Sequence, residues 1–450
     1  MAQAPLDPAA ARVARMRAAC AGMREKAKAA ASQVAPAAAR REALTAEGLR
    51  IRFVSLGAQA NGSAAALLDA ATDYAWTGET AKQLECLQAV IAKYPGTTEA
   101  GRALVHLADY YERFNDPDRA ASLYRQVETE YADPTIQEYA LLAKTWCHPL
   151  QDGSYDAAIN TFLDVMERSS DATNQAFAAL RLADLYKYTL ADYASGEEVY
   201  RAVRDAYPGT AQAREAQLGI AECITWSPEE RHAEALDIFA QVAAEASEYR
   251  FQARGAFGVG HSLFELGELE GALAVFGQVR GNYPGTRQAD YAQVETAVCR
   301  EQRGEFDEAL AEMKDYLSRG HEDPVYLAWA HYLRGALALR ESDFGTAEGE
   351  FGAVLAIPEN GLVRTATAMG LARCLTVKGE VEGALEALLG SAEAAPKADE
   401  KAVLLYNAMI CAKLMGNAEL AGSLLERMRA ECPDSYITGR AAALLTATGE

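Results

Sequence analysis

Along most of the chain a small residue is followed four positions later by a large apolar one, and the couple returns every 37–39 residues. The small members are Ala120, Ala158, Gly196, Ala235, Ala272, Ala309, Ala347, Ala384 and Ala421. Their large partners are Tyr124, Phe162, Tyr200, Phe239, Phe276, Met313, Phe351, Leu388 and Leu425. A step of four places both on one helix face, where the small residue admits a neighbouring helix and the large one fills the space beside it. Polar and turn positions repeat in phase. Gly267-Glu268, Gly304-Glu305, Gly379-Glu380 and the variant Gly416-Asn417 precede the small residue. A glycine after a helix accommodates the left-handed C-cap, and the polar residue then opens the next helix. Tyr94-Pro95-Gly96-Thr97, Tyr207-Pro208-Gly209-Thr210 and Tyr283-Pro284-Gly285-Thr286 close other helices, with Pro134, Pro324, Pro358, Pro396 and Pro433 in equivalent places. Proline stops a helix, and the polar residue after it can cap the following one. The pattern predicts two helices per unit from residue 63 onward, in about ten units.

One helix pair cannot bury its own apolar face, so such units stack into a continuous core that needs a cap at each end. The Gly/Ala, aromatic, Ala, Phe and Pro positions resemble the tetratricopeptide repeat (TPR) over residues 63–435, although the unit is longer than the usual 34 and most units lack the first tryptophan. The fold class expected is all-α: an α-solenoid of TPR-like helix–turn–helix repeats with an N-terminal helical arm (1–62) and a C-terminal capping helix (436–450). Tyr436, Ile437, Leu444 and Leu445 fall in that closing helix. The long unit with Tyr-Pro-Gly-Thr ends is most similar to envelope TPR proteins of bacteria, such as the outer-membrane assembly lipoprotein type. An arm with coiled-coil character ahead of TPRs resembles the periplasmic partner of the Tol–Pal system.

The arm has its own stripe. Val13, Met16, Cys20, Met23, Ala27, Ala30 and Val34 alternate steps of three and four, a heptad seam that Pro36 ends. A second stripe (Leu44, Ile51, Ala58) runs on to the region of Gly57–Gly62. The seam is built of small residues, so helices can approach closely while each contact buries little area. Both a hairpin that caps the array and a self-associating coiled coil satisfy it.

Composition sharpens the picture. Half of the 450 residues are hydrophobic and 24% are charged, enough to bury a sizeable core and unlike a disordered chain. The formal net charge of −21 disfavours nucleic acid and anionic membrane as partners of the whole chain. The first 60 residues, however, carry ten Lys/Arg against four Asp/Glu. Such asymmetry marks an arm with its own partner or one that folds back on the acidic body of its own chain. No apolar run approaches the ~18 residues of a membrane span. Residues 1–20 lack the charged and apolar regions of a signal peptide, although Met1–Pro5 is compatible with a start just after a cleavage site. The resemblance implies the bacterial periplasm or cell envelope, with the cytoplasm as the alternative that eight cysteines favour.

Candidate chemistry is sparse. The chain contains no P-loop, GxGxxG, HExxH, GxSxG or CxxC motif. His106, His148, His232, His261, His321 and His331 fall in different units without i,i+3 or i,i+4 pairing. Asn115-Asp116-Pro117-Asp118 opens like a calcium loop but lacks its spaced ligands and closing Glu, so a turn is expected there. Cys147, Cys223, Cys299 and Cys374 recur at every second unit, and Cys411 follows one unit later. Equivalent positions in stacked units lie about 10 Å apart, beyond the reach of a disulfide, so these thiols are expected to be packing residues of first helices. The sequence offers no catalytic residues, no metal ligands and no cofactor site.

What remains is a binding surface. The TPR resemblance implies that the first helix of each unit lines a concave wall that receives a peptide or helix. Counting back from the repeated small residue gives Asp109, Arg113, Asp184, Lys187, Glu222, Trp226, His261, Glu265, Arg340 and Arg373 as inward, partner-binding positions. Acidic and aromatic groups prevail in the middle units, which suits a basic or amphipathic protein segment. A non-enzymatic protein–protein interaction scaffold is therefore expected, with the arm docking or oligomerising. The alternative is a structural protein that assembles into a homo-oligomer or filament.

Overall fold

The computed structural model describes residues 13–23, 63–77, 79–113, 116–147, 155–320, 324–357, 363–395 and 397–446. Ala27, Ala30, Val34 and the second arm stripe lie outside these residues, as do His148, His321, Pro358, Pro396 and the side chains of Arg113, Cys147, Leu444 and Leu445. Among the described residues all regular structure is helical. Helix α1 covers residues 13–23. Helices α2 (Ala64–Thr77), α3 (Thr80–Lys93), α4 (Thr98–Arg113), α5 (Pro117–Glu130), α6 (Pro134–Cys147), α7 (Asp156–Arg168), α8 (Ala172–Asp184), α9 (Tyr193–Ala206), α10 (Ala211–Trp226) and α11 (His232–Glu245) follow. After them come α12 (Tyr249–Glu265), α13 (Leu269–Asn282), α14 (Arg287–Gln302), α15 (Phe306–Ser318), α16 (Pro324–Arg340), α17 (Phe344–Leu355), α18 (Arg364–Lys378), α19 (Val381–Ala394), α20 (Ala398–Leu414), α21 (Ala418–Glu431) and α22 (Tyr436–Thr446). From α2 to α21 they form ten successive pairs, an α-solenoid. The chain divides into two compact units, Met1–Ala292 and Gln293–Glu450, with the boundary inside α14.

The repeated couple lies where the sequence pattern places it. Each small residue sits in the first turn or so of a second helix and is buried, and the large partners are at most 6% exposed. Gly196 illustrates the need for smallness: a Cβ there would lie 3.3 Å from Cys223 Sγ and 3.3 Å from the Ala183 carbonyl oxygen. Cys223, Cys299, Cys374 and Cys411 are buried and unbridged on first helices. Burial pushes the thiols of Cys223 and Cys299 up to about 12, so neither supplies a thiolate at neutral pH.

The turns follow two local rules. In each Tyr-Pro-Gly-Thr turn the glycine is left-handed, with φ of 77°, 77° and 76° at Gly96, Gly209 and Gly285. The threonine hydroxyl donates back to the tyrosine carbonyl at 2.8, 2.6 and 2.7 Å. The same oxygen accepts from the amide three residues on, at 3.2 Å each time, as an N-cap. The second rule concerns the residue five before the small one. Gly267, Gly304, Gly379 and Gly416 are left-handed there, and so are Ala191, Glu230 and Ser342, which the sequence pattern does not mark. A side chain at such a position costs about 1–2 kcal/mol. Ser342→Gly is accordingly expected to raise stability and Gly304→Ala to lower it, each by about 1 kcal/mol; paired thermal melts by circular dichroism will show opposite shifts.

Pairs stack asymmetrically. In the first unit, first helices of successive pairs pack on one another: α2 on α4, α4 on α6, α6 on α8, α8 on α10 and α10 on α12. In the second unit α16 packs on α18 and α18 on α20, and α22 packs on α20 and α21. Among the described residues no comparable packing joins successive second helices. In the first unit an array so packed bends toward its first helices, which therefore line its concave side. The bend brings α2 back against α12. There the largely buried Arg250 guanidinium pairs with Asp73, 177 residues away.

Candidate functional site

The first-helix wall of α8, α10 and α12, with the turn that continues α8, holds the two charged side chains that are buried among the described residues, Lys187 and Arg254. α8 does not stop at Asp184 but widens into a π turn, Leu185–Thr189. There the Leu190 amide donates to the Leu185 carbonyl at 3.1 Å and the Asp192 amide to the Tyr186 carbonyl at 2.9 Å. The residue gained before Gly196 is thus accommodated inside the helix, where such bulges re-aim side chains. The turn drives Lys187 inward and leaves Tyr188 outside.

Lys187, with a side chain only 2% exposed, donates from Nζ to Glu222 Oε2 at 2.5 Å. Arg254 of α12 donates from Nη2 to Glu222 Oε1 at 3.1 Å and grips Glu215 of α10 through Nη1 at 2.7 and 2.8 Å. Beside them Arg181 donates to Asp184 at 3.1 Å, and the Asp184 carboxylate also accepts from the Tyr200 hydroxyl. Three cations face three carboxylates, so the cluster is neutral within itself. Burial alone would raise the Glu222 carboxyl, but the charges of Lys187 and Arg254 and their hydrogen bonds bring it down to about 2. Lys187, despite its burial, is held above its ordinary value chiefly by Glu222.

Over this cluster lies an aromatic platform. Tyr188 and Trp226, 56% and 44% exposed, approach with ring centroids 5.6 Å apart, and Tyr193 meets Trp226 at 6.3 Å. The Lys187 ammonium stands 4.1 Å from the Tyr188 centroid and 5.7 Å from that of Trp226. The Tyr188 hydroxyl donates to Glu222 at 3.3 Å. Two large exposed rings are therefore fixed in place from beneath by buried charge.

Of the ten positions read from the sequence, Asp184, Lys187, Glu222 and Trp226 come together here. The first three spend their charge on internal partners, and Trp226 presents apolar surface. Asp109 lies on α4, where it accepts from the Tyr124 hydroxyl at 2.6 Å. Arg113 ends the same helix. His261 and Glu265 share a face of α12, with 3.7 Å between His261 Nε2 and Glu265 Oε1, and His261 stacks near Phe257 and Phe264. In the second unit Arg340 lies 3.4 Å from the Phe306 ring centroid, and Arg373 is exposed on α18. The sequence reading passed over Arg181, Glu215, Arg254 and Tyr188. Lys187–Glu222 and Arg254–Glu215 are separated by 35 and 39 residues, so opposite charges about one unit apart were the signal available.

Among the described residues no group of three His, Cys, Asp or Glu is placed to hold a metal ion. No helix among them is long and apolar enough to cross a membrane. Asp116 acts as the turn reading expects: its carboxylate accepts from the Arg119 amide at 3.3 Å as the N-cap of α5. Comparison with known proteins adds the following. Residues 102–134, which run through α4 and α5, match the family model described as a tetratricopeptide repeat. No curated protein matches the chain significantly. Solved structures similar to it include a tetratricopeptide repeat protein from Parabacteroides merdae, 13% identical with a TM-score of 0.39, covering 60% of this chain and 98% of that one. Another is a Rap protein complexed with Competence and Sporulation Factor, 14% identical with a TM-score of 0.45, covering 84% of this chain and 98% of that one.

Proposed function

We propose that the protein is a non-enzymatic scaffold that binds an amphipathic segment of another protein along the first-helix wall of its first unit. The observation that carries this reading is the Tyr188–Trp226 platform, large rings left exposed yet held rigid on the concave side. Exposed aromatic anchors of this kind dominate protein interfaces. Because Lys187 already occupies the rings electrostatically, an apolar side chain of the partner suits the platform better than a cation does. With Asp184, Glu215 and Glu222 already paired with Arg181, Arg254 and Lys187, the wall beside the platform offers that segment hydrogen-bond acceptors and no unpaired negative charge.

The test compares Trp226→Ala and Tyr188→Ala with the parent chain as baits in source extract, with bound proteins quantified by mass spectrometry. The expected result is one or more partners depleted at least tenfold on both variants, with thermal melts lowered only modestly because each ring is about half exposed. Partners retained in full on both baits would sink the reading. We place the protein in the bacterial periplasm or envelope on the Tyr-Pro-Gly-Thr resemblance; fractionation of the source cells tests that placement separately.

A further inference from the structure

We propose that Tyr188 and Trp226 are two rungs of a three-ring ladder completed by Phe264, and that the ladder receives a basic amphipathic α-helix lying across α8, α10 and α12. This inference rests on the scaffold reading and adds to it the conformation, register and charge of the segment that the wall accepts.

The three rings share one register. Trp226 stands sixteen residues beyond Thr210, the N-cap of α10, and Phe264 sixteen beyond Glu248, the N-cap of α12. Tyr188 stands seventeen beyond Asp171, the N-cap of α8, and the π turn absorbs the odd residue. The bulge therefore brings Tyr188 level with the rings of the next two first helices. Phe264 is partly exposed beside His261, with ring centroids 6.3 Å apart. Leu190 after the π turn and Leu266 after α12 are exposed as well and lengthen the end rungs. In α4 the same count from Thr97 reaches Arg113, so the ladder does not run over the whole wall.

Spacing selects a helix. Tyr188 and Trp226 lean together to 5.6 Å, whereas the packed helices that carry the rungs recur at about 8–10 Å. An α-helix returns to one face after about 5.4 Å and again after about 10.5 Å, so apolar residues at steps of three and four meet both intervals. A strand shows one face at about 6.6 Å and then at about 13 Å, which misses the second interval on both sides. Charge selects a basic helix. The carboxylates of the wall are spent on internal pairs, but the loops after α10 and α12 carry Glu230 and Glu268, exposed and without an ionic partner among the described residues. Beside them Glu229 and Glu265 are also exposed, at 3.4 Å from an Arg231 nitrogen and 3.7 Å from a His261 nitrogen. A helix seated apolar side down on the rings carries its lysines and arginines out to this acidic edge.

The probes are fluorescein-labelled alanine–lysine peptides about 21 residues long, titrated by polarisation into the full chain. One carries five leucines at steps of three and four, and an isomer of the same composition carries them at steps of five, spread around the helix. The striped peptide should bind at least tenfold more tightly than the isomer, and a proline at its centre should abolish binding. Phe264→Ala should weaken the striped peptide at least tenfold. Glu230→Lys with Glu268→Lys should weaken it too and flatten its dependence on salt. These two carboxylates are exposed, so that variant tests the acidic edge even if Phe264→Ala fails to fold. No saturable binding, equal affinity for striped peptide and isomer, or full binding by the proline peptide overturns the proposal. A folded Phe264→Ala that binds as well as the parent removes the third rung and overturns it equally. The extract experiment on Trp226→Ala and Tyr188→Ala judges the platform by itself: partners lost there while these peptides fail to discriminate leave the scaffold reading standing and the ladder refuted.

Discussion

Phe351→Ala is expected to cost about 4 kcal/mol and to open the second unit locally around α16, α17 and α18. Phe351 is 1% exposed, and both neighbouring first helices present a glycine to its ring. A Cβ on Gly335 would lie 2.8 Å from the ring and one on Gly370 2.7 Å. Truncating a buried aromatic costs about 3–5 kcal/mol, and the value depends on how far the surroundings collapse into the cavity. Here the two nearest walls are glycines with no side chain to advance, so the upper half of the range applies. The converse changes overpack: Gly370→Ala gains up to about 1 kcal/mol of helix propensity but loses about 1–3 kcal/mol to the clash. Combining Phe351→Leu with Gly370→Ala should therefore cost less than the two singly. Because repeat arrays need not unfold in one step, the measurement is native-state hydrogen exchange read separately on α16–α18 and on α20–α22. Equal loss of protection in both regions would show that Phe351 sets the stability of the whole unit instead of its own neighbourhood.

The same lock recurs elsewhere and explains which parts of the fold can be read from one sequence. Tyr200 presses on Gly219, Phe239 on Gly258 and Phe276 on Gly260. The aromatic half of each lock is legible because it recurs in fixed phase with a small residue on its own helix. The glycine half lies on a neighbouring first helix at one of two fixed offsets, 19 residues after Tyr200, Phe239 and Phe351 or 16 before Phe276 and Phe351, but glycine fills those offsets in only some units, so residue type does not mark them along the whole chain. Turns divide in the same way. Gly304 and Thr286 announce themselves by residue type, since backbone handedness and capping select glycine and short hydroxyls. Ala191, Glu230 and Ser342 take the same left-handed place because the flanking helices force it, and their identity carries no trace of that. The candidate site was half legible. Trp226 and Glu222 follow from counting back along the repeat, whereas the inward turn of Lys187 depends on a π bulge that residue type does not announce. The seat of α1 is less legible still. Its apolar stripe and basic character are evident, but Arg15 meets α7 about 150 residues later in the chain, and nothing local selects α7 over any other acidic helix face.

Removing the carboxylate at the centre of the site should separate stability from recognition. Glu222→Ala leaves the Lys187 ammonium buried without its hydrogen-bonded counter-charge, while Arg254 keeps Glu215. Breaking a buried pair from one side costs about 3–5 kcal/mol, so a loss of that size is expected in urea unfolding of the first unit. Acid should reproduce it in the parent chain. A carboxyl held at about 2 when folded, against an ordinary value near 4.5, contributes stability that is fully present above the ordinary value and disappears as pH falls through 2. That window carries about 3 kcal/mol for this one group. Lys187→Met with Glu222→Leu replaces the pair by apolar side chains of similar volume, which proteins tolerate and sometimes prefer. The double variant should recover most of the stability lost by Glu222→Ala and show a shallower acid transition between pH 4.5 and 2. It should nevertheless bind partners worse than the parent, because the ammonium beneath Tyr188 and Trp226 and the carboxylate that accepts from Tyr188 are both gone. A double variant as stable as the parent that also binds as well would mean that the charges serve packing alone. One that is stable but defective in binding would assign the buried cluster the task of holding the aromatic platform in register for its partner.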